Sequence, residues 1–352
     1  MSAKKDCYSP LKIFHHREQI DALRAGLRPD LLHCQLILTN RCNERCNFCA
    51  YRAKGYSSSE QFVEADEIPT AKALEIVEDF ARLGIKAVEL TGGGEPTIHP
   101  GFAQVCQQLY HYGIQFSVVS NGSNWSKEVF NALGWAAWVR VSMDCGRPST
   151  YAAIRNSSQQ TYHRVRENIR RLKAQNNLVL GVGFVVTRDN WPEIVEAAKN
   201  AKEDGADNFR ISAVFQNDGD HYFREFYNQA KVLCKQAKEL ETDKFTVFDL
   251  FGDRIEDLHQ QSPCDPFCPI QHLVTYIGAD LVVYRCCVLA YNERGALASI
   301  KDKSFYDVWQ SQYLGWALTS FDARHCPRCM FNAKNATIRY AINPNPDHVN
   351  FL

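Results

Sequence analysis

The sequence predicts an α/β fold in which a parallel sheet is covered by helices and is followed by a smaller, cysteine-rich α+β domain. Two observations predict the first part: short apolar runs alternate with amphipathic segments, and this alternation gives six strand and helix units between residues 34 and 240. After residue 241 only short strand-like runs remain, and cysteines recur from Cys264 onward. We therefore expect an N-terminal extension (1–33), the α/β domain (34–240), the smaller domain (241–340) and a C-terminal tail (341–352).

The six strands are predicted where apolar runs end in a short polar or glycine-containing turn. They are expected at residues 36–39, 87–91, 116–120, 138–142, 178–186 and 208–212. Helices are predicted where apolar residues recur with a period of 3.6, as in the stripe from Ala73 to Leu83 that Gly84 closes. The predicted helices occupy residues 69–83, 102–110, 127–133, 165–172, 194–201 and 222–240.

Composition excludes several classes of protein. Lys and Arg together number 40 and so do Asp and Glu, so no net charge indicates binding to nucleic acid or to an acidic membrane. No run approaches the ~18 apolar residues of a membrane helix, and the N-terminus has no apolar signal core, which predicts a cytoplasmic protein. Fourteen cysteines in such a protein favour metal ligation and catalysis over disulfides.

The most informative stretch is a loop after the first predicted strand that contains Cys42, Cys46 and Cys49. Three thiolates leaving one strand end can hold three corners of a four-iron, four-sulfur (4Fe–4S) cluster, and no fourth cysteine is in local register. One iron is then open to a ligand that undergoes chemistry. The alternative is a zinc knuckle, although zinc sites generally use four protein ligands in paired C-x2-C units.

This C-x3-C-x2-C loop resembles the signature of the radical S-adenosylmethionine (SAM) enzymes. The resemblance implies that SAM binds the open iron, that an external donor such as flavodoxin or ferredoxin supplies an electron, and that a 5′-deoxyadenosyl radical removes a substrate hydrogen atom. It implies that Phe48 packs near the adenine of SAM. It also selects a partial (β/α)6 TIM-like barrel over a flat doubly wound sheet, with the chemistry at the C-terminal strand ends.

Polar residues follow three further strands and fit this resemblance. A glycine-rich turn follows the second strand, where the family contacts the amino group of SAM, although a plain tight turn is an equally good interpretation of the turn alone. By resemblance, the short polar side chains after strands three and four contact SAM or substrate, and Arg155 grips a carboxylate or forms an ordinary ion pair. Cys145 and Cys287 each lie beside a motif, and such a thiol can return a hydrogen atom if the reaction is an epimerisation, with an unreactive thiol as the alternative. The residues concerned are Gly92, Gly93, Gly94, Glu95, Ser120, Asn121, Ser142, Asp144, Cys145 and Arg155.

A second set of cysteines lies in the smaller domain, in the pattern C-x17-C-x39-C-x2-C. The four are Cys268, Cys286, Cys326 and Cys329. They resemble the ligands of the twitch domain, a shortened SPASM domain that holds one auxiliary 4Fe–4S cluster, with structural zinc as the alternative. Cys264 competes with Cys268 for the first position, and Leu281 stands where this family has a glycine.

These features predict a radical SAM enzyme with one catalytic and one auxiliary cluster. We expect it to oxidise a small polar metabolite such as an aminocyclitol or sugar, because a fully ligated auxiliary cluster can accept the electron left after hydrogen abstraction. The alternative within the class is modification of a peptide or protein, including epimerisation, cross-linking or oxidation of a side chain. A non-catalytic iron–sulfur or zinc protein is the alternative of another class.

Overall fold

The computed structural model describes residues 7–55, 59–260, 262–345, 347–348 and 350. Within them, ten strands form one sheet and twelve α-helices surround it. The strands are β1 (His33–Leu36), β2 (Ala87–Leu90), β3 (Gln115–Ser120), β4 (Trp138–Ser142), β5 (Val179–Val186), β6 (Asn208–Ala213), β7 (Thr246–Leu250), β8 (Val274–Ile277), β9 (Val282–Tyr284) and β10 (Ala296–Ser299). The helices are α1 (Arg17–Arg24), α2 (Thr70–Arg82), α3 (Phe102–His111), α4 (Lys127–Leu133), α5 (Pro148–Arg155), α6 (Gln159–Gln175), α7 (Ile194–Glu203), α8 (Tyr227–Lys238), α9 (Phe251–Gln260), α10 (Phe305–Gln310), α11 (Gln312–Thr319) and α12 (Asn332–Ile342).

The order of the strands in the sheet is β10-β9-β8-β1-β2-β3-β4-β5-β6-β7. Strands β1 to β7 are parallel neighbours in chain order, which is the arrangement of a partial TIM-like barrel. Strand β8 adds to the other side of β1 in parallel, and β9 and β10 follow as antiparallel strands. The predicted α/β fold is confirmed, and the parallel series has a seventh strand that the sequence analysis left in the smaller domain.

The first strand begins and ends earlier than predicted. Residues 37–39 are fully buried, as their apolar character indicates, but the strand ends at Leu36, and Ile37 adds only one further hydrogen bond, from its amide to the Ile277 carbonyl at 3.0 Å. Leu38 instead accepts a hydrogen bond from the amide of Ile68 at 2.9 Å, and Thr39 forms an isolated bridge with Glu67. Apolar character therefore predicted correctly that residues 37–39 are buried, but not that Leu38 bonds to Ile68 instead of continuing the strand.

Strand β4 has the predicted bounds, but the segment after it differs from the prediction, because the short helix α5 precedes α6. Pro148 opens α5 at its first turn, and Asn156 closes it in the left-handed conformation with φ of 49°. The predicted helix 165–172 is the buried central part of α6. Helix α5 matters below, because it contacts the cysteine loop.

Strands from both sides of residue 241 share the sheet. β7 pairs with β6, and β8 pairs with β1, so the smaller domain is hydrogen-bonded to the barrel rather than joined by a linker. The division at residue 241 stays a prediction, and the outer ends of the N-terminal extension and C-terminal tail lie outside the described residues. None of the helices in the described part of the chain is long and apolar enough to cross a bilayer.

Candidate active site

A cavity of about 810 Å³ opens where the parallel strands end, as expected for a barrel of this kind. The end of β6 closes one side of it through Ser212 and Ala213. Most of the predicted site residues line this one cavity: Cys42, Cys46, Phe48, Cys49, Gly92, Gly93, Gly94, Glu95, Ser120, Asn121, Ser142, Asp144 and Arg155. Residues separated by more than a hundred positions in the chain thus meet at one site.

The cysteine loop is held against helix α5. The backbone amide of Arg45 donates to the carbonyl of Arg155 at 3.1 Å, and the amide of Asn47 donates to the carbonyl of Ile154 at 2.8 Å. These carbonyls belong to the last turn of α5, where the helix leaves acceptors without partners of its own. The loop therefore has a fixed backbone on the side of the fourth strand.

A buried charge network lies under the loop. Arg155 donates to the Glu44 carboxylate at 2.8 Å, to the Ser142 carbonyl at 2.7 Å and to the Asp144 carboxylate. The Tyr151 hydroxyl donates to the other oxygen of Glu44 at 2.5 Å. Arg155 lines the cavity, but its terminal nitrogens bind these internal acceptors, so the structure favours a positioning role over the predicted grip on a ligand carboxylate.

The thiols of the loop are buried enough to resist ionisation on their own. Burial raises the pKa of Cys46 to about 12, and the Arg155 guanidinium opposes this rise only in part. Burial, with the Glu95 carboxylate, also raises the pKa of Cys42. Thiolates at these positions need a positive partner, which is what iron ions provide, so the donor set fits a cluster.

In the described part of the chain, no three His, Cys, Asp or Glu side chains converge tightly enough to hold one metal ion. A single zinc ion would draw its thiolates to about 2.3 Å. A cubane cluster is larger than a single ion, and its cysteine ligands bind separate iron atoms at the corners of a cube, so their sulfur atoms lie farther apart than around zinc.

The glycine-rich turn packs against the start of the cysteine loop. A Cβ at Gly94 would lie 1.8 Å from the carbonyl oxygen of Arg41, and a Cβ at Gly93 would lie 2.1 Å from the Asn40 side chain. The Gly94 amide donates to the Thr39 carbonyl at 3.0 Å. Glycine is required here because two backbones approach each other directly.

Glu95 organises the end of β3. Its carboxylate accepts from the Ser120 hydroxyl at 2.7 Å, from the Asn121 amide at 2.7 Å and from the Thr97 hydroxyl at 2.6 Å. The Asn121 side chain then donates to the side-chain Oδ1 of Asn43 in the cysteine loop at 2.8 Å. Glu95 and Ser120 are thus bonded to each other, and their predicted contacts with a cofactor stay predictions.

Cys145 requires a correction. Its side chain is buried, it does not line the cavity, and burial raises the pKa of its thiol far above the usual range. The reason is that the chain turns at Asp144, whose φ of 58° is left-handed, so consecutive residues face different sides. Cys145 therefore lacks the access to substrate that a hydrogen-atom donor needs.

A second, small cavity lies in the C-terminal part, and all four predicted auxiliary cysteines line it: Cys268, Cys286, Cys326 and Cys329. The rival Cys264 is exposed and does not line it. Asn335 on α12 donates weakly toward the sulfurs of Cys329 and Cys268, at 3.8 and 4.0 Å. The geometry therefore selects Cys268 over Cys264.

Arg285 adds a positive charge to this cavity. It is buried, its terminal nitrogen donates to Gln271 at 2.9 Å, and its Nε has no hydrogen-bond partner among the described residues. Burial lowers the pKa of Arg285, and nearby cysteines oppose this change. A cation with an unpartnered N–H beside four thiols fits an anionic iron–sulfur cluster.

Sequence reasoning missed Arg285 and Asn335. Arg285 could have been noticed because it directly precedes Cys286, but Asn335 has no local signal. Leu281, which replaces the expected glycine, has a left-handed φ of 62°, so the backbone retains the conformation that glycine favours.

The two cavities are adjacent. Cys329 lines the second cavity and the next residue, Met330, lines the first. The Met330 sulfur lies 3.5 Å from the sulfur of Cys287, which follows Cys286. A sulfur–sulfur contact therefore stands between the two sites.

Comparison with known proteins supports this description. Residues 36–201 match the protein family described as the Radical SAM superfamily. The chain is 24% identical over 263 residues to the sporulation killing factor maturation protein SkfB of Bacillus subtilis, a match that covers 72% of this chain and 60% of SkfB. It is 27% identical over 231 residues to an S-adenosylmethionine-dependent nucleotide dehydratase of Flammeovirga pacifica, which covers 60% of this chain and 77% of that protein.

Among solved structures, SuiB of Streptococcus suis bound to S-adenosylmethionine has a TM-score of 0.64 at 13% identity, over 88% of this chain and 72% of SuiB. At this identity the likeness concerns the fold. Two of the curated relatives are matched over only 37% and 60% of their own length. Their substrates therefore do not transfer directly to this chain.

Proposed function

We propose that this chain is a radical SAM enzyme, which the family match over residues 36–201 supports, and that it oxidises a polar small molecule by two electrons. The observation that carries the proposal is the adjacency of two cysteine-lined cavities. Three cysteines line the large cavity at the strand ends, and four line the small cavity beside it. Three ligands leave one iron of a cluster open, whereas four leave none.

We assign the catalytic cluster to Cys42, Cys46 and Cys49, and the auxiliary cluster to the four cysteines of the second cavity. A reduced 4Fe–4S cluster with SAM on its open iron supplies a 5′-deoxyadenosyl radical that takes one hydrogen atom from a substrate C–H bond. The chain's own part is to fix the cysteine loop on α5 and on the glycine-rich turn, and to bury the site.

The two cavities account for both electrons. The first electron and its proton leave the substrate as the hydrogen atom that becomes part of 5′-deoxyadenosine. Cys268, Cys286, Cys326 and Cys329 would hold an auxiliary cluster, which would accept the second electron, and the substrate hydroxyl would release its proton as the C=O bond formed. Methionine and 5′-deoxyadenosine are the other products, one of each for every substrate molecule oxidised.

Modification of a peptide is the second candidate. It is favoured by the match to SkfB, which is named a maturation protein. Among small molecules, an aminocyclitol carries a positive amino group, which the basic residues lining the large cavity, Arg210 and Arg254 among them, disfavour. A neutral or anionic metabolite is the better candidate.

Two experiments test the proposal. Anaerobic reconstitution should yield about eight iron atoms per chain, four for each cluster, and dithionite with SAM should yield 5′-deoxyadenosine. Cys46→Ala should abolish SAM cleavage and retain about four iron atoms. Zinc in place of iron, or SAM cleavage retained in Cys46→Ala, would contradict the assignment.

The auxiliary ligands are tested by a matched pair of variants. Cys268→Ala should reduce the iron content, whereas Cys264→Ala should not, because Cys264 is exposed and lies outside the second cavity. Product analysis then separates the two candidate reactions. A product lighter by two hydrogens with one 5′-deoxyadenosine supports oxidation, and an isobaric peptide product that carries solvent deuterium supports epimerisation.

A further inference from the structure

The large cavity contains acidic side chains that are already bonded within the protein. Glu44 and Asp144 both accept from Arg155, and Glu95 accepts from hydroxyl and amide groups at the strand ends. None of these carboxylates is therefore available to balance another cation in the cavity.

The basic side chains that line the cavity differ in this respect. Arg254 pairs with Asp257 at 2.9 Å, and Arg52 lies 3.6 Å from Glu64. Arg210 forms no ion pair or hydrogen bond with any residue that the structure describes, and its Nε is buried without a partner. Lys54 also lines the cavity without an ion pair to the described residues, but it is exposed, so Arg210 is the half-buried cation of this cavity that no described carboxylate pairs with.

Arg210 is aimed into the barrel by the strand that carries it. It lies in β6 two residues before Ser212, so both side chains face the same side, and both line the cavity. Its neighbour in register on β5 is Gly183, which has no side chain. Arg140 on β4 approaches from the other side, with its Cδ 3.4 Å from the place of a Gly183 Cβ.

Two guanidinium groups therefore share the inside of the sheet across a glycine. Arg140 also has no ion pair or hydrogen bond to the described residues, although it lies beside the Trp138 ring. Burial and the Arg140 charge lower the pKa of Arg210 to about 10, with Glu89 as the opposing acid. Glu89 itself accepts from Gln35 at 3.4 Å. Placing like charges together in a half-buried site costs free energy, and an anion bound between or beside them would offset that cost.

The catalytic cluster does not supply this anion. The loop cysteines follow β1, whereas Arg210 lies in β6, five strands away in the order of the sheet, and the guanidinium that is bonded beneath the cysteine loop is that of Arg155. By family resemblance, the carboxylate of SAM is bound to the open iron. The remaining occupant of the cavity is the substrate.

We propose that the substrate carries a phosphate group, which Arg210 binds together with Ser212 at the inner end of the cavity while Arg140 adds a second positive charge. The proposal rests on the proposed function, because the phosphate belongs to the molecule whose C–H bond is attacked. A phosphate monoester carries about −1.5 to −2 charges at neutral pH and matches two guanidinium groups, whereas a carboxylate carries one. The planar fork of arginine also binds phosphate oxygens in pairs.

The test measures binding of inorganic phosphate to the reconstituted holoenzyme by anaerobic equilibrium dialysis in the presence of SAM. Wild type should bind phosphate, and Arg210→Met should bind it at least about tenfold more weakly, the loss expected for a charge-assisted pair. Arg17→Gln is the matched control, because the Arg17 side chain is 88% exposed and lies outside the cavity. Acetate should compete poorly. Equal phosphate binding in Arg210→Met and wild type, or acetate competing as well as phosphate, overturns the proposal.

Thermal unfolding without substrate gives a second, independent readout. Because Arg210 has no ion pair or hydrogen bond to the described residues and contacts only the Tyr8 ring, at 5.3 Å from its centroid, Arg210→Met should unfold at the same temperature as wild type or higher, and phosphate should raise the midpoint of wild type only. A midpoint lowered by more than about 4 °C would mean that Arg210 is a structural residue, and would overturn the proposal. The proposed function fails separately, if wild type with dithionite does not cleave SAM.

Discussion

Replacing Arg155 by methionine would remove the cation from the buried network beneath the cysteine loop. The side chains of Arg155, Glu44 and Asp144 are 4%, 1% and 3% exposed, and Arg155 donates to both carboxylates and to the Ser142 carbonyl. Breaking a buried pair in this way costs about 3 to 5 kcal/mol, because the remaining charges are left without compensation. Burial already raises the pKa of Asp144, and the loss of Arg155 would raise it further, so protonation would relieve part of this cost.

The assay compares urea unfolding of the apoprotein for four proteins. Arg155→Met should lose about 3 to 5 kcal/mol relative to wild type. The triple variant Arg155→Met with Glu44→Gln and Asp144→Asn should recover part of that loss, because it buries no charge. Arg166→Met is the matched control: Asp204 keeps its contact with Arg170 at 2.7 Å, so a loss of only about 1 kcal/mol is expected.

A loss below about 1 kcal/mol for Arg155→Met would refute this reasoning, as it would place the network in solvent. A triple variant less stable than Arg155→Met would also refute it, since neutral partners would then be worse than unpaired charges. Because Glu44 belongs to the cysteine loop, Arg155→Met should also retain less iron on reconstitution. An unchanged iron content would mean that iron binding by the loop does not depend on the buried charge network.

Three further perturbations have defined outcomes. Gly94→Ala should abolish iron binding in the large cavity, because the new Cβ would lie 1.8 Å from the Arg41 carbonyl oxygen. Gly315→Ala is the control: its Cβ would meet open space, so it should stabilise α11 by about 0.5 to 1 kcal/mol. Iron analysis and thermal unfolding of both variants check these outcomes. Burial lowers the pKa of His272 from 6.5 to about 4, so the neutral side chain contributes to stability above pH 6.5 and this contribution is lost as the pH falls toward 4. The free energy of unfolding should therefore be about 2 kcal/mol lower at pH 5 than at pH 7. His272→Gln should remove that difference. Arg285→Met should lower the reduction potential of the auxiliary cluster by on the order of 50 mV, or about 1 kcal/mol, in an electron paramagnetic resonance titration, and an unchanged potential would mean that this charge does not reach the cluster.

The fold could be predicted from the sequence to the extent that local patterns specify it. Six of the parallel strands and their helices follow from apolar runs and periodicity, and the barrel was implied by the resemblance of the cysteine loop to the radical SAM signature. The end of the first strand was misplaced because Leu38 is as buried as a strand residue but pairs with Ile68. Apolar character predicts burial, and it does not predict which backbone accepts a hydrogen bond.

The site was predictable where chemistry is concentrated in one short motif. The three loop cysteines and the glycine-rich turn line one cavity, as their order along the chain indicates. The distant contributions were not predictable: Asn335 approaches two auxiliary cysteines only because α12 packs beside them, and the pairing of Glu44 with Arg155 joins residues 111 positions apart. Cys145 was misjudged because its neighbour Asp144 turns the backbone with a positive φ.

The contacting sulfur atoms of Cys287 and Met330 lie where the large cavity and the cysteine-lined second cavity are adjacent. All four residues of β8 pair with the four residues of β1, and this backbone pairing holds the two cavities at a fixed separation. In the proposed oxidation, the second electron should therefore tunnel across a constant distance between the two cavities. The rate of this electron transfer should not depend on solvent viscosity, unlike the rate in an enzyme whose mobile domain must dock before an electron is transferred.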